Sequence, residues 1–158
     1  MKTRKNHKNT YLSIHLGKEI FAISVKKVLE VLQKQYITEM PEMPDFVKGV
    51  INFRGDIVPV VDARVIFKMR TTDLQNYVII VLEIEDLEKN IRVCVIVDNV
   101  KDVFSVEDEE IKSIPDLGLK YNPEYLAGMV KTKDSFITIL NVDKIFSVRQ
   151  TEDLVRNN

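Results

Sequence analysis

The stretch that decides the fold spans residues 47–64 and reads VKGVINFRGDIVPVVDAR. Two short apolar runs within it, 50–53 and 57–61, are separated by a segment that contains Gly55. Short β-branched runs on either side of a glycine are typical of a β-hairpin. The stretch therefore predicts two paired strands joined by a tight three-residue loop, in which Gly55 supplies a positive φ.

The same pattern returns near the C-terminus. Residues 49–67 align without a gap to residues 128–146, an offset of 79 (128 − 49). Two upstream segments also repeat in order, with offsets of 66 (77 − 11) for residues 11–16 and 72 (93 − 21) for residues 21–32. Because insertions make such offsets grow along a chain, we interpret the sequence as an internal duplication with longer loops in the second copy.

Proline, an acidic residue and a following glycine mark residues 44–49 and 123–128, which predicts one short helical turn before each hairpin. Asn122 is a good N-cap and its counterpart Met43 is not, so we expect the second turn to be the better capped. Pro59 lacks an amide hydrogen, which predicts a sheet edge or a bulge at that position.

Strict alternation over residues 11–16, a glycine-containing turn and a second apolar run at 20–25 predict a first hairpin. Residues 28–32 leave strand and helical turn open, and their β-branched content favours a strand. Short helical turns are also predicted within 107–113 and 143–146. Elsewhere helical periodicity is scarce, which indicates a mainly β fold.

These patterns predict a mainly β fold of two five-stranded β-barrel subdomains, since closure into small barrels protects strand edges. We expect one domain over residues 10–150, made of two intertwined lobes at about 11–70 and 77–147. A basic N-terminal tail, 1–9, and a C-terminal tail, 151–158, flank this domain.

Composition excludes several classes of protein. The chain has 158 residues, 45% of them hydrophobic and 30% charged, as in an ordinary globular domain. A formal net charge of −1 gives no general electrostatic reason to bind nucleic acid. The longest apolar runs fall far short of the roughly 20 residues that span a membrane, and no apolar stretch suited to a signal peptide follows the basic N-terminus. We expect a cytoplasmic protein that does not insert into membranes.

Residues that could carry catalysis are few. Cys94 lies within an apolar run and is expected to be a small buried residue, and His7 and His15 have no neighbours that suggest a metal site or a triad. No glycine-rich phosphate loop is present. We therefore predict no enzyme activity, no cofactor and no metal. Arg54, at the tip of the hairpin, fits either an exposed turn arginine or a rigidly held binding residue.

The run GVINFRGDIVPVVD at residues 49–62 closely resembles the signature of the CheW family, the coupling proteins of bacterial chemotaxis. The asparagine-x-arginine-glycine hairpin is its most specific part. The likeness extends over nearly the whole chain and includes VDNV at 97–100, YLAG at 125–128 and ILNVDK at 139–144.

The resemblance implies a fold and a function. Family members consist of two SH3-like five-stranded barrels around a shared hydrophobic core, which matches the duplicated β pattern. They are non-catalytic adaptors that join the cytoplasmic tips of chemoreceptors to the regulatory domain of the chemotaxis histidine kinase. The resemblance therefore implies an adaptor recruited to membrane-associated receptor arrays.

The resemblance also implies which residues bind partners. Eight positions match the family's binding surface, which is a groove between the barrels that can receive a helical hairpin tip, with charged residues beside it. They are Val25, Val28 and Val31 in the groove, Glu30 and Arg54 as a charged pair, Lys48 and Gly49 nearby, and Asn52 in the hairpin. None of the eight is assigned to receptor or kinase alone, and the three valines also fit plain core positions.

Two alternatives stay open. One is an adaptor for a related receptor–kinase pathway that controls surface motility, development or second-messenger output. The other is a small-ligand or oligonucleotide-binding β-barrel, which the sequence favours less because no cluster of aromatic and basic residues is evident.

Overall fold

The computed structural model describes residues 8–69, 76–87, 89–115 and 121–147. The predicted mainly β fold is confirmed. The strands are β1 Lys8–Leu16, β2 Glu19–Ser24, β3 Val28–Gln33, β4 Val47–Phe53, β5 Asp56–Asp62, β6 Val78–Asp86, β7 Lys89–Val97, β8 Asn99–Glu107, β9 Ile111–Lys112, β10 Leu126–Lys131 and β11 Phe136–Leu140. The helices are α1 Ala63–Ile66 and α2 Val142–Phe146, with 3₁₀ turns at Val25–Lys27, Asp108–Glu110 and Pro123–Tyr125.

The structure changes the predicted boundary of the N-terminal tail. Strand β1 begins at Lys8, so the predicted N-terminal tail of residues 1–9 is too long by two residues. The rest of that tail, residues 1–7, and the predicted C-terminal tail of residues 151–158 lie outside the described residues.

The strands form two sheets. A six-stranded sheet has the order β8-β1-β2-β11-β10-β9, and a five-stranded sheet has the order β3-β6-β7-β5-β4. The sheets do not coincide with the lobes expected at 11–70 and 77–147. Each sheet instead combines the first hairpin of one copy with the later strands of the other copy, so the two copies exchange their first hairpins.

The two sheets repeat one pairing scheme, which supports the duplication. From β3 to β4 and from β8 to β10, the successive pairs are antiparallel, antiparallel, parallel and antiparallel. A bulge interrupts the pairing at equivalent places, before Gly49 in β4 and before Gly128 in β10. Such agreement in register and bulges is not expected of two unrelated sheets.

The register corrects one of the predicted offsets. Tyr11 faces Phe104 in one sheet, and Ile79 faces Leu32 in the other. Since Leu32 and Phe104 are 72 residues apart (104 − 32), Tyr11 corresponds to Ile79, an offset of 68 (79 − 11). The predicted offset of 66 was wrong by two residues, and the order of growing offsets is unchanged.

Alternating side chains of the strands build three cores. One lies inside each barrel, and the third is shared between the barrels. In β6, for example, Ile79 and Val81 point into the five-stranded barrel, whereas Ile80 and Leu82 point into the shared core. A sheet buried on both faces explains why β6 and β7 have near-continuous apolar sequences.

Strand β1 is also covered on both faces. Its predicted apolar residues, such as Ile14, lie in the shared core. On its other face, Tyr11 lies in the six-stranded barrel's core, and Ser13 is buried with its hydroxyl hydrogen-bonded to the backbone of Asp102. His15, on that same face, is half-buried.

The hairpin between β4 and β5 is tighter than predicted. Phe53 faces Asp56 directly, so the loop contains two residues, not three. Arg54 and Gly55 both have positive φ, 51° and 88°, as a type I′ turn requires. The expected positive φ at Gly55 is confirmed, and Arg54 shares it.

Pro59 was predicted at a sheet edge or bulge, and this is wrong. Strand β5 lies between β7 and β4, and Pro59 faces Val50. The amide and carbonyl of Val50 form hydrogen bonds with Thr38, which lies on the side of β4 away from β5. Val50 and Pro59 are therefore a pair without hydrogen bonds between them, and the missing amide of Pro59 costs β4 no bond. Pairing of β5 with β7 starts at Val60, one residue later.

Only the second predicted helical turn forms. Residues 123–125 make a 3₁₀ turn capped by the Asn122 side chain, which accepts a bond from the amide of Glu124. At the first position, a single bond from the Val47 amide to the Pro44 carbonyl closes an isolated turn. Gly49 and Gly128 lie within strands and do not end helices.

Gly49 serves a close approach of two backbone segments. Its φ is +142°, and a Cβ there would lie 2.1 Å from the carbonyl oxygen of Thr38. The Thr38 segment closes the five-stranded barrel against β4 through two backbone hydrogen bonds with Val50. Any larger side chain at residue 49 must displace that segment.

We expect Gly49→Ala to lower the free energy of unfolding by about 2–4 kcal/mol, because strain and steric overlap combine. Gly55→Ala is the matched control, since its φ is also positive but nothing lies within 4 Å of the added methyl group. Its cost should be about 1 kcal/mol. Urea denaturation measures both, and equal losses would contradict the close-approach explanation.

A buried charge cluster ties the two barrels together. The Arg64 guanidinium, 3% exposed, donates to both carboxylate oxygens of Asp62 at 3.0 and 3.1 Å and to Asp98 at 3.0 Å. Asp62 also caps α1 by accepting from the Arg64 amide, and Asp98 accepts from the amide of Gly17 at 2.6 Å. Arg64 thus links α1 to the β7–β8 junction, and Asp98 extends that link to the β1–β2 turn.

Arg64→Leu should destabilise the fold by about 3–5 kcal/mol, because it leaves the fully buried Asp62 carboxylate without its cation. Arg54→Leu removes an exposed guanidinium and should cost about 1 kcal/mol or less. Chemical denaturation of both variants tests this. A loss at Arg64 no larger than at Arg54 would show that the cluster does not stabilise the fold.

Candidate functional site

The predicted groove valines lie where the chain enters the five-stranded sheet. Val25 is in the 3₁₀ turn before β3, and Val28 and Val31 are in β3 opposite Leu82 and Ile80. Those two partners belong to the shared core, so Val28 and Val31 are on the face of β3 turned toward the other barrel.

The three valines differ in burial. Val25 and Val28 are half-buried and pack against the shared core, whereas Val31 is 38% exposed. The three valines therefore fit both interpretations, as core residues and as part of a binding groove. Its buried end supports the core, and its exposed end offers an apolar surface.

Glu30 and Arg54 form the charged pair that was predicted. Nη2 of Arg54 lies 2.9 Å from Oε1 of Glu30, and the side chains are 56% and 42% exposed, respectively. Glu30 is on β3 and Arg54 follows β4, and these are the two outer strands of the five-stranded sheet. The pair thus bridges the seam where the barrel closes, and both charges stay accessible to solvent.

Neighbouring side chains stabilise the hairpin tip through a hydrogen bond and a cation–π contact. Asn52 accepts a hydrogen bond from the Gly55 amide at 3.1 Å, which stabilises the two-residue turn. The guanidinium of Arg54 lies 4.7 Å from the centre of the Phe53 ring. Asn52, one of the predicted residues, therefore stabilises the turn conformation. The ring of Phe53 restrains the Arg54 guanidinium through a cation–π contact.

The sequence did not predict a second ion pair near this tip, between Arg92 and Asp56. Arg92 of β7 pairs with Asp56 at 3.1 Å and lies 5.8 Å from the centre of the Phe53 ring. The parallel pairing of β5 with β7 brings these residues near one another, and a pairing between distant strands leaves no local signal in the sequence.

Lys48 and Gly49 were expected near the charged pair, and the structure separates them from it. Lys48 lies six residues before Arg54 along an extended strand, which corresponds to about 20 Å. It lines a cleft of about 760 Å³ at the opposite end of the barrel. Gly49 is buried under Thr38. The eight predicted residues therefore do not form one continuous patch.

The described part of the chain offers little for catalysis. Burial raises the pKa of the Cys94 thiol to about 12, so a reactive thiolate is disfavoured at neutral pH. Residues 8–69, 76–87, 89–115 and 121–147 contain no group of three or more histidine, cysteine or acidic side chains placed to hold a metal. No described helix is long and apolar enough to cross a membrane.

Comparison with known proteins identifies close relatives in sequence. The family model for the CheW-like domain matches residues 10–150. The chemotaxis protein CheW of Klebsiella aerogenes is 33% identical over 138 residues, which cover 87% of this chain and 81% of that protein. The chemotaxis protein CheW of Thermotoga maritima is 31% identical over 134 residues, 85% of each chain.

The fold also matches a solved structure. The crystal structure of the scaffolding protein TtCheW from Thermoanaerobacter tengcongensis superposes with a TM-score of 0.78 at 29% sequence identity. The match covers 90% of this chain and 94% of that one. Sequence and fold therefore agree over nearly the full length of both proteins.

We expect the Glu30–Arg54 pair to contribute little to stability. A double-mutant cycle with Glu30→Gln and Arg54→Met should give a coupling energy of about 0.2–1 kcal/mol that falls as salt is added. Thermal or urea unfolding of the four proteins measures it. A coupling above about 2 kcal/mol would assign the pair to the fold instead of to an accessible surface.

Proposed function

This chain belongs to the CheW-like domain family, and from that membership we propose that it couples the cytoplasmic tips of chemoreceptors to the regulatory domain of the chemotaxis histidine kinase. It is a non-catalytic scaffold of chemotaxis signalling, as its family is. The proposal includes a cytoplasmic location and recruitment to receptor arrays at the membrane.

One observation carries the assignment of the binding surface. The exposed Val31 and the solvent-accessible Glu30–Arg54 pair lie together on and beside β3, next to the junction of the two barrels. An apolar row can receive the apolar face of a helical hairpin tip, and the charged pair beside it can select the orientation of the partner. This combination supports a protein partner over a small ligand.

The electrostatics of the pair suit a transient contact. An exposed ion pair contributes little to the fold, so a partner's carboxylate can replace Glu30 as the ligand of Arg54 at small cost. The type I′ turn and the ring of Phe53 keep Arg54 in place, which lowers the entropy lost on binding. Repetition within an array then strengthens contacts of modest individual affinity.

We expect Arg54→Glu to weaken binding of the kinase regulatory domain, the receptor tip or both by at least tenfold, because the variant places two carboxylates side by side in the interface. Isothermal titration calorimetry with each purified partner from the same organism measures this. Lys112→Glu, an exposed position on β9, makes the same charge change in the other sheet and serves as control.

The fold of the Arg54→Glu protein should be intact by circular dichroism. Unchanged affinity for both partners would remove Arg54 from the interface. Absence of binding by the wild-type protein to either partner would contradict the proposed coupling itself.

A further inference from the structure

The described chain passes between the two sheets at two points. It leaves the six-stranded sheet after β2 through the 3₁₀ turn Val25–Lys27, and it returns after β7 at Asp98. The relative position of the barrels thus depends on these two crossings and on the side chains that hold them.

Each crossing is held by an ion pair to a short helix. At the second crossing, Asp98 pairs with Arg64 of α1 at 3.0 Å. At the first crossing, Lys27 pairs with Asp143 of α2 at 2.8 Å. Arg64 and Asp143 are equivalent positions of the two copies (143 − 64 = 79), so the order of charges is reversed between the two crossings.

The carboxylates of the two pairs also do the same second task. Asp98 accepts from the backbone amide of Gly17 in the β1–β2 turn, and Asp143 accepts from the backbone amide of Glu85 at the end of β6, at 2.8 Å. Gly17 and Glu85 are again equivalent, at the offset of 68 given by the strand register (85 − 17). Each ion pair therefore joins a crossing to one of the short helices. Its carboxylate also binds the first hairpin of the copy to which that helix belongs.

The two pairs differ in their exposure to solvent. Asp98 and Asp143 are each 31% exposed, but Arg64 is 3% exposed and has Asp62 as a further partner, whereas Lys27 is 24% exposed. Water and salt screen an ion pair more when both of its charges are partly exposed than when its cation is buried. The first crossing is consequently the weaker of the two.

The weaker crossing is also the one that carries the groove. Lys27 stands between Val25 and Val28, which pack against the shared core beside the exposed Val31. We propose that the Lys27–Asp143 ion pair is a positioning pair that fixes the groove valines relative to the second barrel and thereby sets the affinity for the receptor tip. This rests on the proposed function, because the receptor tip is the ligand assumed.

The first test measures the position of the barrels without any partner. Spin labels at Ile57→Cys and Phe136→Cys lie at equivalent exposed sites, one in each sheet, and the native Cys94 is buried. Double electron–electron resonance should give a broader or shifted distance distribution for Lys27→Met than for the wild type. Lys26→Met, which changes the exposed neighbour, should leave the distribution unchanged.

The second test measures affinity. Titration with a purified chemoreceptor hairpin-tip fragment from the same organism should show about fivefold weaker binding for Lys27→Met, as expected for loss of one partly exposed pair. Raising the salt concentration should reduce that difference, and Lys27→Arg should restore wild-type affinity. A role limited to stability would lower the melting temperature but would leave the distance and the salt dependence of affinity unchanged.

The outcomes separate the two proposals. Distance distributions that are identical for Lys27→Met and Lys26→Met would overturn the positioning role, whatever the receptor does. Binding by Lys27→Met that equals that of the wild type would also overturn it. Failure of the wild-type protein to bind the receptor fragment would contradict the proposed function, and the distance measurement would still decide the role of Lys27.

Discussion

Burial of the Arg64 guanidinium is the constraint on which the arrangement of the two barrels depends. A buried cation is costly unless every donor finds a partner, and here Asp62 and Asp98 supply carboxylate oxygens from two different parts of the chain. The contact forms because the β7–β8 junction brings Asp98 to within 3.0 Å of the Arg64 guanidinium. The cluster therefore restrains the relative position of the barrels at the second crossing, whereas the apolar contacts of the shared core are less directional.

The surface proposed for binding grows out of this arrangement. The shared core buries one end of the row formed by Val25, Val28 and Val31 and leaves the other end exposed. Closure of the five-stranded sheet into a barrel brings Glu30 of β3 next to Arg54, which follows β4. The same contacts that complete the barrel thus place an apolar row beside an accessible charged pair, so fold and binding surface are not separate features of this molecule.

The errors of the sequence analysis have definable causes. Alternation has a period of two, so a two-residue shift keeps every side chain on its face, and the offset of the first strand was misjudged by that amount. Pro59 was assigned to an edge because a strand inside a sheet was assumed to need its amide as a hydrogen-bond donor. Val50, which faces Pro59, instead forms its hydrogen bonds with Thr38, so that donor is not needed. Lys48 was expected near Arg54 because the family resemblance implies it, but the extended strand β4 separates the two residues by about 20 Å.

The sequence by itself determined what depends on neighbouring residues: the β class, the duplication, the hairpin tip with Gly55 at positive φ, and the N-cap at Asn122. Only the tertiary structure decided that the copies exchange their first hairpins and that Arg64 meets Asp98 while Lys27 meets Asp143. The physical reason is that local alternation and turn residues are satisfied equally by exchanged and unexchanged hairpins. Contacts between distant residues distinguish the two arrangements, and no local pattern records them.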